Sequence, residues 1–106
     1  MQIRGGINEL MRQAARIQRK VDQAKADAKD KTLIAEAVGG KIKATITLGR
    51  KVERIEVEPE FAKSESFELV LDGIAAAINA GMDDAEKALE AEVEKATGGV
   101  KIPGLV

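Results

Sequence analysis

The chain has no cysteine, no histidine, no tryptophan and no tyrosine; two phenylalanines are its entire aromatic content over 106 residues. Each absence excludes something. Without cysteine there are no disulfides, no thiol catalysis and no zinc–thiolate centre. Without histidine the usual general base and the commonest metal ligand are gone. Without tyrosine or tryptophan there is no aromatic platform on which single-stranded bases would stack. No run of about 18 apolar residues occurs, and no short apolar segment has the flanks of a signal peptide. The expectation is a soluble, cytoplasmic chain with no membrane partner. No glycine pair resembles a phosphate loop, because GxxxxGK[ST] and GxGxxG are both missing. Two period-2 glutamate sets, 56/58/60 and 90/92/94, invite a metal reading. On a helix, however, alternate residues diverge by about 200°, so the second set cannot converge on one ion. No enzyme activity, cofactor, metal or small-molecule substrate is expected.

What is present is charge, and it is polarised. Net charge is −1. Residues 1–52 hold 12 Lys/Arg and 5 Asp/Glu, a net of +7; residues 53–106 hold 5 and 13, a net of −8. A chain built this way can offer a basic region to a polyanion, unless its opposite charges pair within the fold.

Apolar residues recur at 3, 7, 10, 14, 17, 21, 24 and 28. The alternating spacing of four and three is the seam of a helix with period 3.5. A helix is predicted from about Asn8, an N-cap after Gly5-Gly6, to about Lys29. Its seam residues Ile7, Leu10, Ala14, Ile17 and Val21 are the expected dimer interface, because an Ala-rich stripe in a small chain needs a second surface to bury it. Arg12, Arg16 and Arg19 fall at i, i+4 and i+7, away from the seam, and span about 10 Å. Arg4 and Lys20 flank them. Phosphates along one DNA strand are about 7 Å apart, so this row can meet two or three. These five residues are the expected DNA-binding set, with double-stranded DNA as the partner.

Residues 32–58 change texture. Residues 32–38 are rich in strand formers and end at Gly39-Gly40. Residues 41–48 alternate strictly, with Ile42, Ala44, Ile46 and Leu48 on one face. Residues 51–58 form a third strand with Ile55 and Val57 inward. Val52 is out of phase with them, which predicts a bulge near Glu53-Arg54. Pro59 ends that strand. A second long helix is expected from Ser64 or Ser66 to Thr97. Its stripe is Phe67, Leu71, Ile74, Ile78, Met82, Ala85, Leu89, Val93 and Ala96. Gly73, Ala77 and Gly81 form a small-residue flank that could seat a partner helix, or Gly81 could kink the helix with Asp83 capping a new one. Residues 98–106 are expected to form a mobile tail. The fold class is α+β, one domain over 1–106, in the order α-β-β-β-α with a three-stranded antiparallel meander.

The ordered set of segments resembles the YbaB/EbfC family of bacterial nucleoid-associated proteins. The resemblance rests on GGINELMRQA at 5–14, GKIKATITLG at 40–49, RIEVEP at 54–59, AAAINA at 75–80 and TGGVKIPGL at 97–105. It implies an intertwined, tweezer-like homodimer that binds DNA through helical arms and resides in the nucleoid. The arm positions that match here are Arg12, Arg16, Arg19 and Lys20. The alternative reading is a dimeric protein–protein adaptor that uses the acidic second helix or the C-terminal tail, with weak or no DNA binding.

Overall fold

The computed structural model describes residues 3–99, with side chains from residue 6 onward. The order is α1 (Ile3–Ala28), β1 (Thr32–Ala37), β2 (Ile42–Thr47), β3 (Val52–Val57), α2 (Pro59–Ser64) and α3 (Phe67–Ala96). The strands form one antiparallel sheet in the order β1-β2-β3. This is the expected α+β meander with a covering helix, plus one short helix that the sequence reading missed.

The core forms where alternation meets small residues. Ile42, Ala44 and Ile46 of β2 are fully buried. Above them α3 buries Val70, Gly73, Ala77, Gly81 and Ala85. The small-residue flank therefore faces the chain's own sheet rather than a partner helix. A Cβ at Gly73 would collide with Cδ1 of Ile42, and one at Gly81 with Cδ1 of Ile46. The two isoleucines occupy the volume the glycines leave empty. Helix α3 runs unbroken through Gly81, so neither the kink nor an Asp83 cap forms. Its cap is Ser66, whose Oγ accepts from the Leu69 amide at 3.2 Å. Interior glycines weaken a helix by about 1 kcal/mol each, and the close packing they permit offsets that cost.

Of the stripe expected to be the buried face of α3, Ala85 and Val93 are buried, but most of the rest lies on the flank. Ile74, Ile78 and Met82 are half-buried at the margin of the core, together with Ile55 and Val57 of β3. Phe67 and Leu71 are exposed, at 75% and 48%.

The bulge lies where the out-of-phase Val52 placed it. Thr45 pairs with Arg54 and Ile46 with Val52, which leaves Glu53 as the extra residue. Strand β1 ends at Ala37, one residue early, because Val38 already adopts φ +54° and opens a turn continued by Gly39 and Gly40. The unpredicted α2 begins at Pro59, in the first helical position, where proline's missing N–H costs nothing. Its Phe61 is buried in the core.

Helix α1 starts at Ile3, not Asn8, so Asn8 is an interior residue and not a cap. The glycines at 5 and 6 lower helix propensity without blocking helical geometry. At the other end the β2–β3 turn caps the helix. The Gly49 amide donates to the Lys29 carbonyl and the Leu48 amide to the Lys31 carbonyl, both at 2.9 Å. The expected tail divides at the limit of the described residues. Gly98 and Gly99 form a left-handed turn that ends α3, and 100–106 lie outside them.

Candidate nucleic-acid interface

Among the described residues, only the C-terminal half of α1 packs within the chain. Val21 and Ala28 are buried at 2% exposure, and Ile17 and Ala24 are half-buried. They lie along α3, whose Val93 is also buried at 2%. Toward the N-terminus the same seam opens to solvent. Ile7 is 51% exposed, Leu10 66% and Met11 66%, and Ala14 is exposed. The first half of α1 is thus an arm extending from a rooted base, consistent with principal dimensions of 76 × 19 × 17 Å. Val21, expected at a dimer seam, is already buried by its own chain.

Arg12, Arg16, Arg19 and Lys20 are all exposed. The three arginines lie on the side of α1 opposite Val21 and Ala28, as 100° per residue requires. Arg4 is within the helix, but its side chain is outside the described residues. Arg12 and Arg16 share one carboxylate: Glu9 Oε2 lies 3.5 Å from Arg12 Nη1, and Glu9 Oε1 lies 3.8 Å from Arg16 Nη2. Arg19 and Lys20 have no carboxylate in ion-pair reach among the described residues. The acids further along α1 are engaged by amides instead. Gln18 donates to Asp22 at 2.9 Å and Gln23 to Asp27 at 2.8 Å.

A second basic surface, Lys41, Lys43, Arg50 and Lys51 on the sheet, is neutralised at two of its four cations. Lys43 faces Glu36 directly across the β1–β2 pairing at 3.9 Å, and Arg50 reaches Glu86 at 3.8 Å. Arg54 binds Glu56 at 2.8 Å. The Lys41 ammonium lies 5.7 Å from the centre of the Phe61 ring. A hollow beside Pro59 is lined by Lys41 and Lys43 but equally by Glu56 and Glu58, so it does not select for anions. Among the described residues no group of three or more Asp or Glu could hold a metal ion, and no helix is long and apolar enough to cross a membrane.

Helix α3 carries eight carboxylates against two lysines. At least two of the eight are paired with cations outside the helix: Glu86 with Arg50, and Glu92, whose Oε1 lies 3.1 Å from Lys31 Nζ. That hydrogen bond, then the charges of Lys31 and Lys95, hold the Glu92 carboxyl below the usual carboxylate range. The molecule therefore has a basic arm and an acidic body.

Residues 4–100 match the model of the YbaB/EbfC DNA-binding family. The chain belongs to that family. Among YbaB/EbfC relatives, a nucleoid-associated protein of Acetivibrio thermocellus is 35% identical over 102 residues, covering 95% of this chain and 90% of that protein. One from Anaeromyxobacter dehalogenans strain 2CP-C is 38% identical over 103 residues, covering 93% and 96%. The fold also matches an uncharacterized protein of Helicobacter pylori solved by crystallography. That match has a TM-score of 0.64 at 13% identity and covers 79% of this chain and 88% of the other. In this YbaB/EbfC member, Arg19 and Lys20 on the arm and Lys41 and Lys51 on the sheet have no carboxylate within ion-pair distance among the described residues.

Proposed function

We propose that this chain is a nucleoid-associated, homodimeric DNA-binding protein. It holds duplex through phosphate contacts from α1, with little preference for sequence. The observation that carries the reading is the exposed row Arg12, Arg16, Arg19 and Lys20 on a projecting arm, in a member of a DNA-binding family. Arg4, the fifth expected contact, precedes the row in sequence. Arginine side chains on a solvated helix neutralise phosphates without reading base edges, and they position a protein rather than specify a sequence. The carboxylates of α3 repel duplex and confine it to the arms.

A homodimer would supply two arms. The apolar surfaces left open in the single chain support association with a second copy. One is the arm seam, Ile7, Leu10 and Ala14 with half-buried Ile17. The other is the body patch of Phe67 and Leu71 beside Ile74, Ile78 and Met82.

The test is a salt titration of duplex binding. Two arms offer eight charges from Arg12, Arg16, Arg19 and Lys20. With about half on phosphates, log K falls against log[salt] with a slope of about −3.6. Changing Arg12, Arg16 and Arg19 together to Gln should flatten the slope and weaken binding equally on unrelated sequences. The fold should persist, because all three side chains are exposed. Unchanged affinity in a folded triple variant would reject the arm as the contact. The adaptor reading is favoured by the exposed Phe67 and Leu71 on an acidic helix; it requires negligible duplex binding at any salt.

A further inference from the structure

Glu9 is the one acid within ion-pair distance of the arginine row among the described residues. Each of its two carboxylate oxygens addresses a different guanidinium, Arg12 through Oε2 and Arg16 through Oε1. All three side chains are well exposed, at 50%, 71% and 58% for Glu9, Arg12 and Arg16. A phosphodiester also presents two non-bridging oxygens on one centre, a short distance apart. The geometry points to Arg12 and Arg16 as a two-guanidinium fork for a single backbone phosphate of duplex DNA. Glu9 is the resident counter-ion that this phosphate must displace. The inference rests on the DNA-binding reading and assigns a role within it.

The physical consequence is attenuation. A phosphate entering the fork exchanges one anion for another, so the arm gains less than two bare arginines would give. The displaced carboxylate stays covalently nearby and competes for re-entry, which shortens residence. Exposed ion pairs are weak, so the competition is a modest brake and not a lock. Arg19 and Lys20 lie outside the brake and make the unattenuated contacts.

The test compares Glu9→Gln with Asp22→Asn in salt-titrated duplex binding by the full chain. Asp22 lies on the same helix, is exposed, and is engaged by Gln18 rather than by an arginine. Removing the Glu9 charge should tighten binding at low salt by about threefold for each arm engaged, and should steepen the salt slope by about one per arm. Asp22→Asn should stay within about twofold of the parent protein. Glu9→Ala should act in the same direction as Glu9→Gln, and circular dichroism should show α1 intact in both. In an Arg12→Gln/Arg16→Gln background the effect of Glu9→Gln should vanish, which a general change of net charge would not produce.

Several results overturn the proposal while leaving DNA binding itself standing. They are salt-dependent binding by the parent with no gain in Glu9→Gln, an equal gain in Asp22→Asn, or a gain that survives loss of both arginines. Absence of duplex binding by the parent and Glu9→Gln alike, at every salt concentration, rejects the DNA-binding reading and the fork with it.

Discussion

At Val38 a β-branched residue sits at φ +54°, where its Cβ crowds the backbone at a cost of about 1–2 kcal/mol. The position follows from the pairing: Ala37 still pairs with Ile42, so the chain must reverse within Val38, Gly39, Gly40 and Lys41. Asparagine tolerates this conformation. Val38→Asn should raise stability by about 1 kcal/mol, seen as a higher denaturant midpoint. A lower midpoint would mean that the Val38 methyl above Gly73 contributes more than the strain costs. Gly81 poses the opposite question. Alanine there gains about 1 kcal/mol of helix propensity, but its methyl would meet Ile46 Cδ1 and come 3.2 Å from the Ala35 methyl. Overpacking of this kind costs about 1–3 kcal/mol, and Ile46 is fully buried with little freedom to turn. Gly81→Ala should therefore destabilise. Combining it with Ile46→Val, which deletes the colliding carbon, should recover stability beyond the sum of the two single changes. Strict additivity would show that Ile46 is not the obstacle.

At the scale of elements, α1 joins two environments. Its base is held by backbone amides of the β2–β3 turn, which donate to carbonyls at and just past the helix end, and by packing on α3, while its N-terminal half carries the basic row. The Lys31–Glu92 pair bridges the α1–β1 junction and α3, and it has a pH signature. The Glu92 carboxyl is held low in the folded chain, chiefly by the Lys31 hydrogen bond. A folded pKa below the unfolded one stabilises at pH above the unfolded value, and that stability disappears as pH falls through the folded value. The Glu92 carboxyl should thus titrate below the usual carboxylate range by NMR. In Lys31→Gln its midpoint should rise toward the ordinary range, and acid unfolding should become less dependent on this residue. A midpoint that does not move would assign the lowering to Lys95.

For the whole molecule, the decisive question is how a chain of 11.3 kDa covers its apolar patches. Phe67 and Leu71 lie outside the intramolecular core, so changing both to Glu should leave the fold intact. We expect the parent protein to sediment at twice the chain mass at micromolar concentration. The Phe67→Glu/Leu71→Glu variant should sediment as a monomer, with duplex affinity and salt slope both reduced as one arm is lost. A parent monomer would refute the dimer. A variant that remains dimeric would move the interface to the arm seam at Ile7 and Leu10.

The sequence alone specified the order of elements, because the 3.5 and 2.0 periods of residues 3–28 and 41–48 are local properties of the chain. The same holds for the β3 bulge, legible from one residue out of phase, and for the arginine row, whose spacing fixes its side of the helix. Helix α2 also had a local signature in Pro59 followed by Glu60 and Phe61, hidden behind the reading of proline as a stop. Contacts distant in sequence decided the rest. Which stripe of α3 is buried depends on Ile42 and Ile46 needing the space above Gly73 and Gly81, so the small residues turned inward and the large ones stayed at the margin. Whether a seam residue serves the chain or a partner depends on how far α3 reaches along α1, which buries Val21 and leaves Leu10 in water. Which lysines and arginines remain uncompensated depends on strand register and on packing across elements. These place Glu36 against Lys43 and Glu86 near Arg50, and leave Arg19 and Lys20 on the arm with no carboxylate in ion-pair reach among the described residues.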